Sequence, residues 1–330
     1  MNRRKRWKAF FWLVVAVTAS LACVGTARAQ DYERRDVTFV SQGLKCAAWL
    51  YLPHSQTASG KHPAIVMAHG WSATKEMYLD NFARRFARAG FVVLAFDYRF
   101  LGASEGEPRG QLFPADQEED YRNAITWVSL QPQVDPSRIG IWGTSYSGAH
   151  VLQIAAFDRR VKAVVAQVPG LDSWDLVRRN VTGTQWDGMF AWFAQDRKER
   201  YTTGKINYIP VVAAEGPSSL PQKEALEWFT RAAQLAPRWE NRVTVETLER
   251  SLELSPGAQI QRISPTPLLM IVANEDIITP TDQALAAYER ALQPKQLVIV
   301  PGRHFDAYEG PKHEAFVLPA VDWFKRYLLN

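Results

Sequence analysis

Gly143-Thr144-Ser145-Tyr146-Ser147-Gly148 stands between an apolar run at 139–142 and a helix-forming stretch at 149–157. A serine in that position sits on a sharp strand-to-helix bend, where small neighbours let the backbone take strained angles and Oγ stands at a helix N-terminus. The second glycine of the usual G-x-S-x-G pattern is replaced by Ser147, which is also small, and Gly148 follows it. A serine-rich helix cap is the plain alternative. Strand, turn and helix falling in that order favour a nucleophile at Ser145.

Outward from this turn the chain alternates strands with helices. Short apolar runs at 64–68, 91–96, 139–142 and 161–168, each bounded by Gly, Pro or charge, predict buried parallel strands, because strands covered on both faces are apolar at every position. Ahead of them, 37–40 and 44–51 alternate around Gln42-Gly43 and predict a hairpin. Helices are expected at 77–89, closed by Gly90, and at 116–130, whose acidic first turn suits the positive end of a helix dipole. Strands at 268–273 and 296–300 flank a helix at 282–292, and a last helix runs over about 314–329. The pattern predicts an α/β protein with a mostly parallel, doubly wound sheet.

Between Gly170 and Ile263 the alternation stops. Trp174, Trp186, Trp192, Trp228 and Trp239 fall here among charges and helix formers, with Pro210, Pro217, Pro221 and Pro237 interrupting. The stretch predicts a mostly helical cap inserted at about 171–262. Its tryptophans are expected to fasten the cap to the core and to roof an apolar pocket.

A serine hydroxyl is a poor nucleophile at neutral pH without a base, and the base needs a carboxylate to fix its tautomer. His304, in Pro301-Gly302-Arg303-His304-Phe305 after the last strand, is the expected base. His150 falls on the helix after the turn, where packing or surface exposure explains it, and His313 at the start of the last helix is expected to face solvent. Asp276 follows the strand at 268–273, at the sheet edge where such sites collect. It is preferred over Glu275, over Asp282 in the next helix's first turn, and over Asp172. The order Ser145, Asp276, His304 is that of a nucleophile-elbow triad. Two backbone N–H groups should face the developing alkoxide: Tyr146, after the nucleophile, and Trp71, in His69-Gly70-Trp71-Ser72 after the strand at 64–68. His69 is expected to hold that loop, and Asp97-Tyr98-Arg99, which closes the fourth strand, to brace its loop through an ion pair, with a substrate contact as the alternative.

The formal charge of +5 rests on the N-terminus. Six cations and no acidic residue precede position 30, and without them 33 of the 39 cations face 34 anions. A groove that neutralises phosphates needs clustered surplus cations, so nucleic acid is not an expected partner. The cationic start, the apolar run at 9–22 and Ala27-Arg28-Ala29 predict a cleavable secretory signal over 1–29, hence export to the periplasm or beyond, with no stable membrane association after cleavage. An uncleaved anchor is the alternative. Cleavage would leave Cys46 as the one cysteine, so no intramolecular disulfide is expected; neither cysteine-based zinc ligation nor an HExxH spacing is present, and no cofactor or metal is expected.

The elbow, the His69-Gly70-Trp71-Ser72 loop followed by Lys75-Glu76, the 96–106 stretch and the 301–310 stretch resemble the polyketide-transferase-like branch of the α/β-hydrolases. That branch borders on dienelactone-hydrolase-like esterases and Xaa-Pro peptidases. Glu227-Trp228-Phe229 and Pro237-Arg238-Trp239-Glu240-Asn241 in the cap, with 263–270 after it, resemble the same branch. The resemblance implies an α/β-hydrolase fold and a Ser-Asp-His triad, carried here by Ser145, Asp276 and His304, without cofactor. The expected activity is cleavage of a small-molecule carboxylic ester through an acyl-enzyme. Peptide or amide cleavage, for which Glu215, Glu224 or Glu240 would anchor an amine, and acyl transfer or thioester cleavage are alternatives with the same triad; a ligand-binding homologue without catalysis is the alternative of another class.

Overall fold

The computed structural model describes residues 31–55, 57 and 60–329. The expected signal at 1–29 lies outside the described residues. Strands β1 (Tyr32–Ser41) and β2 (Leu44–Pro53) form the expected hairpin, with Gln42 and Gly43 both at positive φ in the two-residue turn. Next come β3 (His62–Ala68), α1 (Leu79–Arg88), β4 (Val92–Phe96), α2 (Pro114–Ser129), β5 (Val134–Thr144), α3 (Tyr146–Phe157) and β6 (Val161–Gln167). The apolar runs decide these strands: every residue of β3 and β4 is buried, as strands covered on both faces require.

The segment between β6 and the next sheet strand carries α4 (Ser173–Asn180), α5 (Thr184–Thr203), β7 (Tyr208–Ile209), α6 (Lys223–Ala232), β8 (Val243–Thr244) and α7 (Val245–Ser251). Short 3-10 stretches at Ala233–Leu235 and Pro256–Ile263 complete it. The antiparallel pair β7/β8 has no counterpart in the sequence expectation, because two residues per strand are too short for an alternation to register. The sheet resumes with β9 (Leu268–Ala273), α8 (Thr281–Arg290), β10 (Lys295–Val300) and α9 (His313–Phe324), which ends in a π-turn at Lys325–Leu329. No helix among the described residues is long and apolar enough to cross a membrane.

The eight-stranded sheet runs β1-β2-β4-β3-β5-β6-β9-β10. β1 pairs antiparallel with β2, and β2 with β4; the six strands from β4 to β10 are parallel. β3 and β4 extend the sheet one way and β5, β6, β9 and β10 the other, so the winding reverses between β3 and β5. A ligand crevice opens outside the carboxyl ends of strands at such a reversal. The loop after β3 carries Trp71, and the turn after β5 carries Ser145.

Candidate active site

Ser145 stands between β5 and α3 with φ 58° and ψ −119°, a backbone conformation that a residue with a side chain holds only when its surroundings enforce it. The surroundings are visible. The Ser145 N–H donates to the Gln167 carbonyl at 2.9 Å, and its carbonyl accepts from Ala149 at 3.2 Å and Gly170 at 3.1 Å. The departure at Ser147 is explained by Tyr98, whose phenol shares a 2.8 Å hydrogen bond with the buried Ser147 hydroxyl. Small size is demanded one residue later, where a Cβ on Gly148 would lie 2.9 Å from Pro169 Cα.

His304 opens a short 3-10 turn after β10 and is 1% exposed. Its Nδ1 lies 2.7 Å from Asp276 Oδ2. The carboxylate is held in turn: Oδ1 accepts the backbone N–H of Ile278 at 2.9 Å and of Thr279 at 2.8 Å, while the Thr279 hydroxyl reaches Oδ2 and the Val168 carbonyl, each at 2.9 Å. This Asp-x-x-Thr arrangement fixes the oxygen that faces the imidazole. The rival carboxylates are engaged or exposed. Asp172 caps α4 and accepts from Ser255, Asp282 pairs with Arg179 at 2.8 Å, and Glu275 points to solvent. His150 is buried on α3, with Nε2 2.8 Å from Gln117 Oε1; burial pushes its pKa down to about 3, so it is neutral.

Ser145 and His304 line one cavity of about 300 Å³, together with Trp71, Tyr146 and Tyr308. Gly70 packs so closely beneath the serine that a Cβ there would fall 2.9 Å from Ser145 Cβ and 3.3 Å from its Oγ. Trp71 follows directly, its ring edge-on to that of Tyr146 at 4.9 Å. Among the described residues, no backbone carbonyl takes the Trp71 or Tyr146 N–H, and Tyr146 is the first residue of α3, where helical N–H groups lack an intrahelical partner. The loop is held from the side: the Trp71 indole donates to Ser219 Oγ at 2.9 Å and the Trp239 indole to the Ser72 carbonyl at 2.8 Å. His69 Nδ1 lies 3.1 Å from the Gly70 carbonyl, and burial lowers its pKa.

The Asp97-Tyr98-Arg99 turn is braced by ion pairs, as expected, with partners from other elements: Asp97 binds Lys75 at 2.8 Å and Arg99 binds Asp120 at 2.5 Å. One expectation is corrected. His313 is half-buried rather than facing solvent, with Nδ1 2.9 Å from the Ala307 carbonyl and its ring edge-on to Phe82. The tryptophans divide. Trp228 is buried and Trp239 packs on the core, whereas Trp174 and Trp192 stay 49% and 39% exposed.

Thr279 and Tyr308 were not singled out in the sequence. Thr279 lies three residues after Asp276, the spacing of a side chain that closes a turn on its own carboxylate, and that spacing was available as a signal. Tyr308 lies four residues after His304; its hydroxyl accepts from Thr144 at 2.9 Å, burial raises its pKa, and the Ser145 hydroxyl is a further partner. Of the three carboxylates weighed as amine anchors, Glu215 is exposed and Glu240 pairs with Arg242. Glu224 keeps Oε1 screened and unpartnered, and burial raises its pKa against the opposing field of His304. Among the described residues no group of three or more His, Cys, Asp or Glu could hold a metal ion.

The sequence matches the family model described as X-Pro dipeptidyl-peptidase (S15 family) over residues 42–306. It is 32% identical over 302 residues to a polyketide transferase of Penicillium sp, covering 91% of this chain and 99% of that protein. It is also 32% identical over 294 residues to the quorum-quenching protein AidA of Acinetobacter baumannii, covering 88% and 94%. Among solved structures, the α/β-hydrolase GrgF from Penicillium sp. sh18 superposes with a TM-score of 0.78 at 31% identity, covering 90% of this chain and all of that one.

Proposed function

The chain belongs to the X-Pro dipeptidyl-peptidase (S15) family of α/β-hydrolases, and from that premise we propose that it is a serine hydrolase that cleaves carboxylic esters of small molecules. The observation that carries the proposal is the 2.7 Å His304–Asp276 pair lining, through His304, the same cavity as a serine on a strained strand-to-helix turn. In the proposed reaction Ser145 Oγ attacks the ester carbonyl and its proton passes to His304 Nε2. Asp276 holds the Nδ1–H and stabilises the imidazolium. The backbone N–H groups of Trp71 and Tyr146 bear on the oxyanion, and the positive end of α3 adds to them. The C–O bond then breaks, the alcohol leaves with the proton from His304, and water enters by the same route to free the acid and restore Ser145.

The test is hydrolysis of p-nitrophenyl esters of graded acyl length by the mature protein and its Ser145→Ala variant, beside labelling with a serine-directed phosphonate. Turnover and labelling that both vanish in the variant are expected. Labelling that persists in Ser145→Ala would move the nucleophile elsewhere, and a wild-type chain that takes no label would favour the ligand-binding alternative.

A second reading is acyl transfer, which the likeness to a polyketide transferase supports. It differs only in the second step, where an alcohol or amine of an acceptor replaces water. Adding alcohols of graded size to the ester assay separates the two, since a transferase yields new ester in preference to free acid. Peptide cleavage is tested on the same preparation with an Xaa-Pro p-nitroanilide. We propose further that residues 171–262 act as the cap that selects substrate, and that 1–29 is a cleaved export signal. N-terminal sequencing of the exported protein should then begin near Gln30.

A further inference from the structure

The roof of the cavity is a rigid strip that leaves polar atoms unused. The backbone of Ser219 and Leu220 is bound to Pro210 and Val211 at 2.9 and 2.8 Å, and the Ser219 hydroxyl accepts from Trp71 and donates to the Val211 carbonyl. Ser219 is therefore spent on holding the strip in place. Its neighbours Ser218 and Gln222 line the cavity with Oγ and Oε1 screened from solvent and without a partner. Gln222 stands at the N-cap of α6 and does not cap it, so its amide end has no local task. Trp228, further along α6, lines the same cavity, stacks on Phe305 at 5.0 Å, and has its indole N–H screened and unpartnered.

Native proteins leave few buried polar atoms unpaired, and those that remain call for a cause. Several other polar side chains of the cavity wall have internal partners: Asn180 donates to the Leu176 carbonyl, Ser251 to the Leu248 carbonyl, and Thr279 to Asp276. Apart from His69, whose Nε2 lies 3.6 Å from Asp97 Oδ1, the screened and unpartnered atoms of the wall fall on the strip and on the helix that follows it. They offer acceptors at Ser218 and Gln222 and a donor at Trp228, and a hydroxyl group, which donates and accepts at once, matches both.

Building on the ester-hydrolase reading, we propose that Ser218, Gln222 and Trp228 form a hydroxyl-binding subsite, so that the substrate is an ester bearing a hydroxyl group in addition to its scissile bond. A site built to hydrogen-bond a substrate hydroxyl discriminates strongly against the analogue without it, because its own polar groups are then stranded.

The experiment uses the full mature chain carrying Ser145→Ala, which allows binding to be read without turnover. Calorimetry compares two matched pairs: propyl butyrate with 3-hydroxypropyl butyrate, and ethyl butyrate with ethyl 3-hydroxybutyrate. The hydroxylated member of at least one pair should bind about tenfold more tightly or better, as one satisfied buried hydrogen bond implies. Adding Gln222→Met or Ser218→Ala, with unchanged thermal unfolding as the control for folding, should bring that preference down to within about twofold. Equal affinities in both pairs, no binding by any of the four at millimolar concentration, or a preference that survives both substitutions would overturn the subsite. Hydrolysis of these esters by the Ser145→Ala chain would instead overturn the nucleophile assignment and leave the affinity ratio to judge the subsite by itself.

Discussion

The floor of the cavity and its roof differ in how firmly their residues are determined. On the floor, Ser145, Asp276 and His304 sit at the ends of β5, β9 and β10 and are 7%, 7% and 1% exposed; backbone hydrogen bonds fix Ser145 and Asp276, and Asp276 and Thr279 hold His304. The roof is thinner. α4 has no buried residue, α5 buries only Phe193 and Asp196 over its 20 residues, and Phe193, Val245 and Leu252 make a small cluster apart from the main core. Half-exposed helices repack at little cost, whereas buried strand ends do not. The contrast suits a molecule whose proposed chemistry belongs to the sheet and whose selectivity belongs to the insertion. It can be broken at four places.

The sharpest test lies on the floor. Asp276→Asn keeps the shape of the side chain but leaves His304 Nδ1 facing an amide that favours the wrong tautomer. By analogy with the serine-triad template, kcat should fall on the order of 10⁴ with little change in KM. A loss of tenfold or less would mean that the carboxylate acts on structure alone, since Asp172, Asp282 and Glu275 are placed where none can substitute for it.

Gly70 comes next. A methyl group there would meet Ser145 Cβ at 2.9 Å and the Thr144 carbonyl at 3.3 Å, both on an elbow that cannot retreat without breaking the Gln167 and Gly170 hydrogen bonds. Gly70→Ala should therefore displace the serine or lift the Trp71 loop, reducing kcat about 10²-fold, as misplacement of a reacting group does. Overpacking should also lower stability by about 1–3 kcal/mol. A variant with full activity would show that the loop yields and that the floor is less rigid than its hydrogen bonds indicate.

The floor was also the part most legible in the sequence. The elbow, Asp276 and His304 stand at the ends of continuous apolar runs, and those runs encode parallel strands directly. β9 spans the expected 268–273, and β6 and β10 differ from expectation by one residue at one end. What stayed hidden is whatever depends on two elements meeting. Lys75 and Asp97, Arg99 and Asp120, and Trp71 and Ser219 are 22, 21 and 148 residues apart. Residue types at those positions say that a partner is needed without saying which. The insertion's boundaries were readable because the strand rhythm stops, but its inner faces were not: α5 has Trp186, Met189, Phe190, Trp192 and Phe193 on several sides, and only the last is buried. Periodicity cannot pick the covered face of a helix that is mostly uncovered.

The floor's rigidity has an electrostatic cost under acid. His150 is buried neutral beneath the elbow with a pKa near 3, whereas an unfolded histidine titrates near ~6.5. Its folded pKa is depressed, so the stability linked to it is fully present above about 6.5 and is lost progressively as pH falls toward 3. At pH 5 that loss is about 2 kcal/mol relative to neutral pH. His150→Gln, compared with the wild type by denaturant unfolding at pH 5 and pH 8, should recover about that much of the difference. The Arg179–Asp282 pair at the edge of the roof is solvent-exposed and should contribute little at either pH. An undiminished pH dependence in the variant would move the acid sensitivity to another group.

The smallest expected effect concerns the roof, and it decides whether the two regions act separately. Val177 on α4 lines the cavity and packs, with Met189 of α5 and Leu248 of α7, against the cluster of Phe193, Val245 and Leu252. Val177→Phe adds bulk there without touching Ser145, Asp276, His304 or the Trp71 loop. Because α4 buries no residue, the helix can shift outward and stability should change by no more than ~0.5 kcal/mol. If the insertion alone sets acyl size, kcat/KM should fall about tenfold for the p-nitrophenyl octanoate and stay within about twofold for the acetate, since a misfit of one or two methylenes is worth that much in an apolar site. An equal loss on both esters would mean that the helices of the roof reach the reacting atoms. The 2.9 Å Trp71–Ser219 and 2.8 Å Trp239–Ser72 hydrogen bonds would be the route, for each joins a residue of the insertion to the loop beside Ser145. Trp239→Phe in the Val177→Phe background then separates the cases: it should leave the octanoate-to-acetate ratio unchanged if cavity volume alone sets it, and move both rates together if the loop carries the strain.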